Sequence, residues 1–323
     1  MSMARPPSYA PPLAARLPSA PPRLSGEPVA LAGASMGTTW SARLALPPGV
    51  TRQQAQAAIA AALDEVVAQM STWEAGSDIS RFNRAATGWQ ALPEALFHVL
   101  SHALDLADAS GGAYDPTIGA LVDAWGFGAG PRVHEPPAAA AIAQARRAWQ
   151  PGGVRLDLSS IAKGYGVDRA ALALRALGVT ACLVEVGGEL RAHGVRPDGL
   201  PWRVAVEVPD ASGAHALAVP LRDQSIATSG DYRRYIEQAG RRYAHTLAPR
   251  TGKPLDNDLA SVTVIHPECM LADGLATALG VLGAAAGADY AARHDLAALF
   301  ILRGAAGHEV RATPAFAALL DRP

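Results

Sequence analysis

Asp273 and Thr277 stand four residues apart in Ala272-Asp273-Gly274-Leu275-Ala276-Thr277. On a helix that spacing puts a carboxylate and a hydroxyl on one face, here among small apolar neighbours. Oxygens in such surroundings are costly unless something satisfies them. One carboxylate, one hydroxyl, waters and substrate phosphate oxygens would form a shell suited to Mg²⁺. The plainer alternative is a hydrogen-bonded pair on a buried helix.

Four further segments combine glycine, hydroxyl and carboxylate residues beyond what turns require. Ser35-Met36-Gly37-Thr38-Thr39 offers close backbone approach at Gly37 between hydroxyls, or a simple bulge. Gly112-Ala113-Tyr114-Asp115-Pro116-Thr117 holds Asp115 extended before a proline, and Trp125-Gly126-Phe127-Gly128 follows. Asp157-Leu158-Ser159-Ser160-Ile161-Ala162-Lys163-Gly164-Tyr165 reads as a polar turn entering a helix. The free N–H groups and dipole there favour a phosphate, with Lys163 as an added charge, although the pattern is not a P-loop. Downstream, Val186-Gly187-Gly188-Glu189 ends a strand at two glycines. The fourth segment is Thr228-Ser229-Gly230-Asp231-Tyr232, then His245 and the turn Pro249-Arg250-Thr251-Gly252. His245 is a candidate proton acceptor or a structural histidine.

The elements that must position these residues are partly readable. Thr51–Met70 has helical apolar spacing, with Thr51 and Gln54 as a capping box. A second helix starts near Pro93 and stops at Gly111 and Gly112, an Ala-rich one covers about 137–149, and Asp157–Leu177 becomes helical before Gly178. Strand-like runs follow at Ala181–Val186, Trp202–Val208, Ala216–Leu221, Tyr243–Leu247 and Leu259–Ile265. A helix at about 268–282 stops at Gly283, and the chain ends in a hairpin, Ala297–Arg311, with a short helix. Val29–Leu46 reads as strand broken by the small residues 33–39. Helices early and strands later, without βαβ alternation, predict an α+β fold.

The 323 residues are half hydrophobic and 18% charged, which suits a globular enzyme of one large domain or two lobes. A net charge of −1 gives no footprint for nucleic acid or an anionic membrane. Cys182 and Cys269 lack metal or redox spacing and read as buried, inert thiols. Residues 1–27 form a Pro/Ala-rich tail expected to be disordered, and 28–323 a single domain. The tail contains no unbroken apolar core of about 7–15 residues as in a signal peptide, and no lipobox cysteine. No run approaches the roughly 20 residues of a membrane span. The chain as given reads as cytoplasmic.

Taken together and in order, these motifs resemble the ApbE family of FAD:protein FMN transferases. The resemblance runs from about Gly33 to the C-terminus. It implies a two-lobed α+β fold with largely antiparallel sheets, flanking helices and a cleft between the lobes. It also implies that FAD is the substrate, bound by Met36, Trp73, Ala113, Tyr114, Asp115, Asp157, Lys163 and Leu247. Trp73 stands where relatives often carry Tyr. Mg²⁺ would be held by Asp273 and Thr277 with an oxygen from Ser160 or its neighbour Ala162. His245 matches the proposed general base. One departure is Ala248, where the family usually has Asp before the Pro-Arg-Thr-Gly turn.

The implied reaction moves FMN from FAD to a Ser or Thr hydroxyl of an acceptor protein carrying a short flavinylation motif, releasing AMP. Two competing readings share these residues: an FAD pyrophosphatase giving FMN and AMP, and a non-catalytic flavin-binding protein. Family acceptors are often outside the cytoplasm, and family members are often periplasmic or membrane-anchored. Oligomeric state is not legible.

Overall fold

The computed structural model describes residues 27–129, 154–207, 216–230, 235–238, 241–304 and 307–320. Residues 1–26 of the expected tail, the Ala-rich helix expected at 137–149, and Asp231 and Tyr232 lie outside the described residues.

Strand β1 (Glu27–Ser35) turns directly into β2 (Thr38–Leu46), so the interruption expected over residues 33–39 narrows to a tight turn. Ser35 pairs with Thr38, leaving Met36 and Gly37 as a two-residue turn with φ of 52° and 69°. Two positive φ values match the right-handed twist of a hairpin. Helix α1 (Arg52–Met70) begins at the expected capping box: Thr51 accepts from the Gln54 N–H, and Gln54 accepts from the Thr51 N–H. Helices α2 (Asp78–Arg84), α3 (Glu94–Ala109) and α4 (Gly119–Ala124) follow, then α5 (Ala162–Ala176).

The next strands are β3 (Cys182–Val186), β4 (Glu189–His193), β5 (Trp202–Glu207), β6 (Ala216–Leu221) and β7 (Ser225–Gly230). Strands β8 (Tyr235–Gln238), β9 (Arg241–Ala244), β10 (Leu247–Ala248) and β11 (Lys253–Pro254) are short. The run expected at Tyr243–Leu247 is thus divided, because β8–β9 and β10–β11 close separate ribbons. Strand β12 (Leu259–His266) leads into α6 (Cys269–Leu282) and α7 (Ala284–Arg293). The chain closes with β13 (Ala297–Gly304), β14 (Gly307–Ala312) and α8 (Pro314–Leu320).

One eight-stranded sheet organises the fold, in the order β1-β2-β3-β4-β7-β12-β13-β14 with every neighbouring pair antiparallel. The α+β expectation is met. Helices α1 and α5 cover β1–β3 through Ile59, Leu63, Val167, Leu174 and Val184. Helix α6 is apolar nearly all round, because it lies between the sheet and helices α3 and α5. Its Leu275 and Leu279 join Leu106, Val262 and Phe300 in the largest core. The β5–β6 ribbon caps the far side with Phe316 and Leu319 of α8. Among the described residues, no helix is long and apolar enough to cross a membrane.

Candidate active site

Helices α5 and α6 approach closely at their N-terminal ends. A Cβ on Gly164 would lie 2.3 Å from the Cys269 carbonyl oxygen, so glycine permits the contact. The Gly164 N–H, in the first turn of α5, donates to Asp273 Oδ2 at 3.0 Å. Lower down, Asp168 of α5 accepts from the N–H groups of Cys269 and Met270 at 3.0 and 2.9 Å. That side chain caps α6 from a neighbouring helix, and Arg191 of β4 pairs with it. These contacts fix Asp273 and Thr277 relative to Lys163.

Asp273 is 6% exposed. Burial pushes its carboxyl above the usual range, opposed by the Lys163 charge and the Gly164 N–H. Lys163 Nζ lies 2.6 Å from Glu189 Oε1. Burial alone would lower Lys163, but the charges of Asp273 and then Glu189 outweigh it and hold the ammonium above its ordinary value. Burial lifts Glu189 to about 7, with Asp273 adding to the rise and Lys163 opposing it. Two carboxylates and one ammonium therefore share a poorly solvated corner.

The turn before α5 is built by Asp157, whose Oδ1 accepts from the N–H and hydroxyl of Ser159 at 2.8 and 2.5 Å. Asp157 thus orders the turn and does not cap the helix, whose N-cap, Ile161, makes no side-chain cap bond. The Asp157 N–H donates to Pro116 O at 2.8 Å, tying this turn to the Asp115 segment. Asp115 Oδ1 accepts from the Thr117 N–H and hydroxyl at 2.7 and 2.6 Å, and burial raises its carboxyl. Ser160 Oγ donates to the buried Tyr114 hydroxyl at 3.1 Å, and burial pushes that phenol up.

On the opposite wall, Trp125 Nε1 donates to Gly252 O at 2.8 Å, joining the Trp-Gly-Phe-Gly segment to the Pro-Arg-Thr-Gly turn. Phe127 meets the His245 ring edge-on at 6.5 Å between centroids. The turn itself closes on backbone, with the N–H groups of Thr251 and Gly252 donating to Ala248 O. No carboxylate at 248 is needed to form it. Met36, at the β1–β2 turn, reaches α5 where Gly166 makes room: a Cβ there would lie 2.6 Å from Met36 Cε.

A cleft of about 1130 Å³ runs between these walls. Met36, Trp73, Ala113, Tyr114, Asp115, Asp157, Ser160, Lys163, His245, Leu247, Asp273 and Thr277 all line it. Residues spread over more than 240 positions of sequence are thereby brought to one surface. Trp73 is 66% exposed at this cleft, an aromatic face open to a flat ring. Glu189, Thr228 and Ser229 line the cleft as well. Glu189 is the residue that sequence reasoning passed over: the signal was a carboxylate directly after Gly187 and Gly188, noted there only for its glycines.

Among the described residues no three His, Cys, Asp or Glu side chains gather as a metal cluster. The donors at Asp273, Thr277 and Ser160 are few, hard oxygens. They suit Mg²⁺, which keeps waters and takes one or two carboxylates plus phosphates, better than they suit zinc. Asp273 fits that role, since Gly164 engages one oxygen in a buried setting that a cation would neutralise.

The fold has close counterparts. The flavin transferase ApbE from Vibrio cholerae superposes with a TM-score of 0.84 at 36% identity, over 91% of this chain and 100% of that one. The apo flavinyl transferase ApbE of Pseudomonas stutzeri gives 0.83 at 37%, over 92% and 98%. A curated FAD:protein FMN transferase of Vibrio cholerae is 38% identical over 317 residues, covering 92% of this chain and 94% of its own length. One from Haemophilus influenzae is 36% identical over 319 residues, covering 91% and 92%. The architecture is therefore that of the flavin transferases. The ApbE family profile matches residues 36–300, and the chain belongs to the ApbE family.

Proposed function

We propose that this chain is a Mg²⁺-dependent transferase that moves FMN from FAD onto a Ser or Thr hydroxyl of an acceptor protein, with AMP as the second product. Its relatives carry the name FAD:protein FMN transferase. The observation that carries the reading is the shared cleft. It joins an aromatic face at Trp73, a phosphate-suited helix end at Lys163, the oxygens of Asp273 and Thr277, and an imidazole at His245. Its volume exceeds the roughly 300–1,000 Å³ of ordinary ligand pockets, which leaves space for a dinucleotide and an acceptor side chain.

The isoalloxazine ring lies against Met36, Trp73 and Leu247 in this reading. Asp115 and Asp157, each ordered by its own turn, accept hydrogen bonds from FAD. Lys163 faces the pyrophosphate in this reading, where its fixed charge and the dipole of α5 lower the barrier to building negative charge. Asp273, Thr277 and Ser160 would hold Mg²⁺, which neutralises phosphate oxygens and the charge growing on AMP. The acceptor hydroxyl oxygen attacks the FMN phosphorus, its proton passes to His245, and the bond to the bridging oxygen breaks. AMP keeps that oxygen, and FMN becomes a phosphodiester of the acceptor. Ala248 stands where the family usually has Asp, yet the turn is intact, which favours a working enzyme over a flavin binder.

AMP release separates transfer from hydrolysis. With FAD and Mg²⁺, a transferase forms AMP in step with added acceptor and little without it. AMP at the same rate with and without acceptor would make the chain a pyrophosphatase, and tight FAD binding with no AMP at all would make it a binder.

A further inference from the structure

Strand β4 and helix α5 are joined by two ion pairs of opposite polarity. Arg191 of β4 meets Asp168 of α5, and two residues earlier on the same strand Glu189 meets Lys163. The first pair has a clear structural task, since Asp168 also caps α6. The second does not. Glu189 is 3% exposed, its Oε1 engages Lys163, and its buried Oε2 has no hydrogen-bond partner among the described residues. A buried carboxylate with one oxygen unused is unfavourable, so its place needs a reason.

The reason lies one residue away. Lys163 directly precedes Gly164, whose N–H holds Asp273, so the charges of Asp273 and Glu189 both act on the Lys163 ammonium. A buried ammonium beside a single buried carboxylate would pair with it. Asp273 would then be closed by an internal salt bridge instead of being open to a cation.

We infer that Glu189 is a positioning residue: it draws Lys163 away from Asp273, keeping that carboxylate open to a divalent cation and the ammonium beside the pyrophosphate. The inference rests on the metal reading of the cleft and adds to it a competitor, Lys163, and the residue that restrains it. Substituting Glu189 should therefore weaken cation binding through Lys163, and only while Lys163 is present.

The test is direct Mn²⁺ binding, followed by electron paramagnetic resonance of free Mn²⁺, at saturating FAD and without acceptor. Glu189→Gln should weaken Mn²⁺ binding by roughly 10–100-fold, the range usual for groups that orient a metal ligand. Lys163→Met should bind Mn²⁺ at least as tightly as the wild type. In the Lys163→Met background, adding Glu189→Gln should cost far less than it does alone. An equal loss in both backgrounds, or none in either, overturns the positioning role and leaves the metal site standing. Weaker binding by Lys163→Met also overturns it, and that variant keeps the test open if Glu189→Gln fails to fold. A wild type that does not bind Mn²⁺ overturns the metal reading itself, a result distinct from these.

Discussion

Gly164 and Asp273 meet through one hydrogen bond, N–H to Oδ2 at 3.0 Å, across a gap where a Cβ would lie 2.9 Å from the Asp273 Cβ. This contact sets the helix bearing Lys163 against the helix bearing Asp273. The same Cβ would also strike the Cys269 carbonyl. Gly164→Ala should therefore cost about 1–3 kcal/mol of stability, as overpacking does. It should also weaken divalent-cation binding. Thermal unfolding with and without Mn²⁺ checks both, and an unchanged midpoint would remove the close-packing argument.

Asp273→Ala should abolish Mg²⁺-dependent transfer while leaving measurable FAD affinity, because most of the cleft is untouched. Flavin fluorescence on titration reads the affinity, and product formation reads the transfer. Full activity in this variant would remove Asp273 from the metal site.

His245→Ala should lower turnover by about 10²–10⁴-fold, the usual contribution of a placed base. FAD binding should change far less, since the ring touches Phe127 at one wall of a large cleft. Steady-state turnover beside equilibrium FAD binding separates the two. An unchanged rate would end the base assignment.

Asp223 offers a pH test away from the cleft. A hydrogen bond from the His193 ring, helped by the Gly194 N–H, holds its carboxyl down at about 2 against the opposing effect of burial. A carboxylate lowered in the folded state stabilises above its unfolded value near 3.9, and loses that contribution as pH falls toward about 2. The side chain is 56% exposed, so solvent screening keeps the effect small. Asp223→Asn should flatten the fall in unfolding temperature between about pH 4 and 3. A slope identical to wild type would show that the contact adds nothing.

Much of the candidate site was legible because the features that suggest it are local. Asp273 and Thr277 needed only helical spacing, and the Thr51–Gln54 capping box announced α1. The turn before α5 was visible in Asp157 and its serines, although Asp157 orders the turn and not the helix. Elements that depend on distant partners were not legible. Strand β4 reads Glu-Leu-Arg-Ala-His, and its charges make sense only against Lys163 and Asp168 on α5. Strand β7, Ser-Ile-Ala-Thr-Ser-Gly, stands out in the sequence only for its hydroxyls. It is held between β4 and β12, where Thr228 and Thr263 share a hydrogen bond at 2.8 Å. Helix α7 was hidden because Gly283 ends one helix and begins the next. The Met36-Gly37 turn was blurred by small residues on both sides, which cross-strand pairing turns into strand.

The reaction itself is tested most directly by the intact mass of a purified acceptor protein bearing a Ser/Thr flavinylation motif, after incubation with this chain, FAD and Mg²⁺. The acceptor should gain the mass of one FMN joined through phosphate, a gain lost when its hydroxyl residue is changed to Ala and absent with Asp273→Ala. An acceptor of unchanged mass, while FAD is consumed to FMN and AMP, would contradict it.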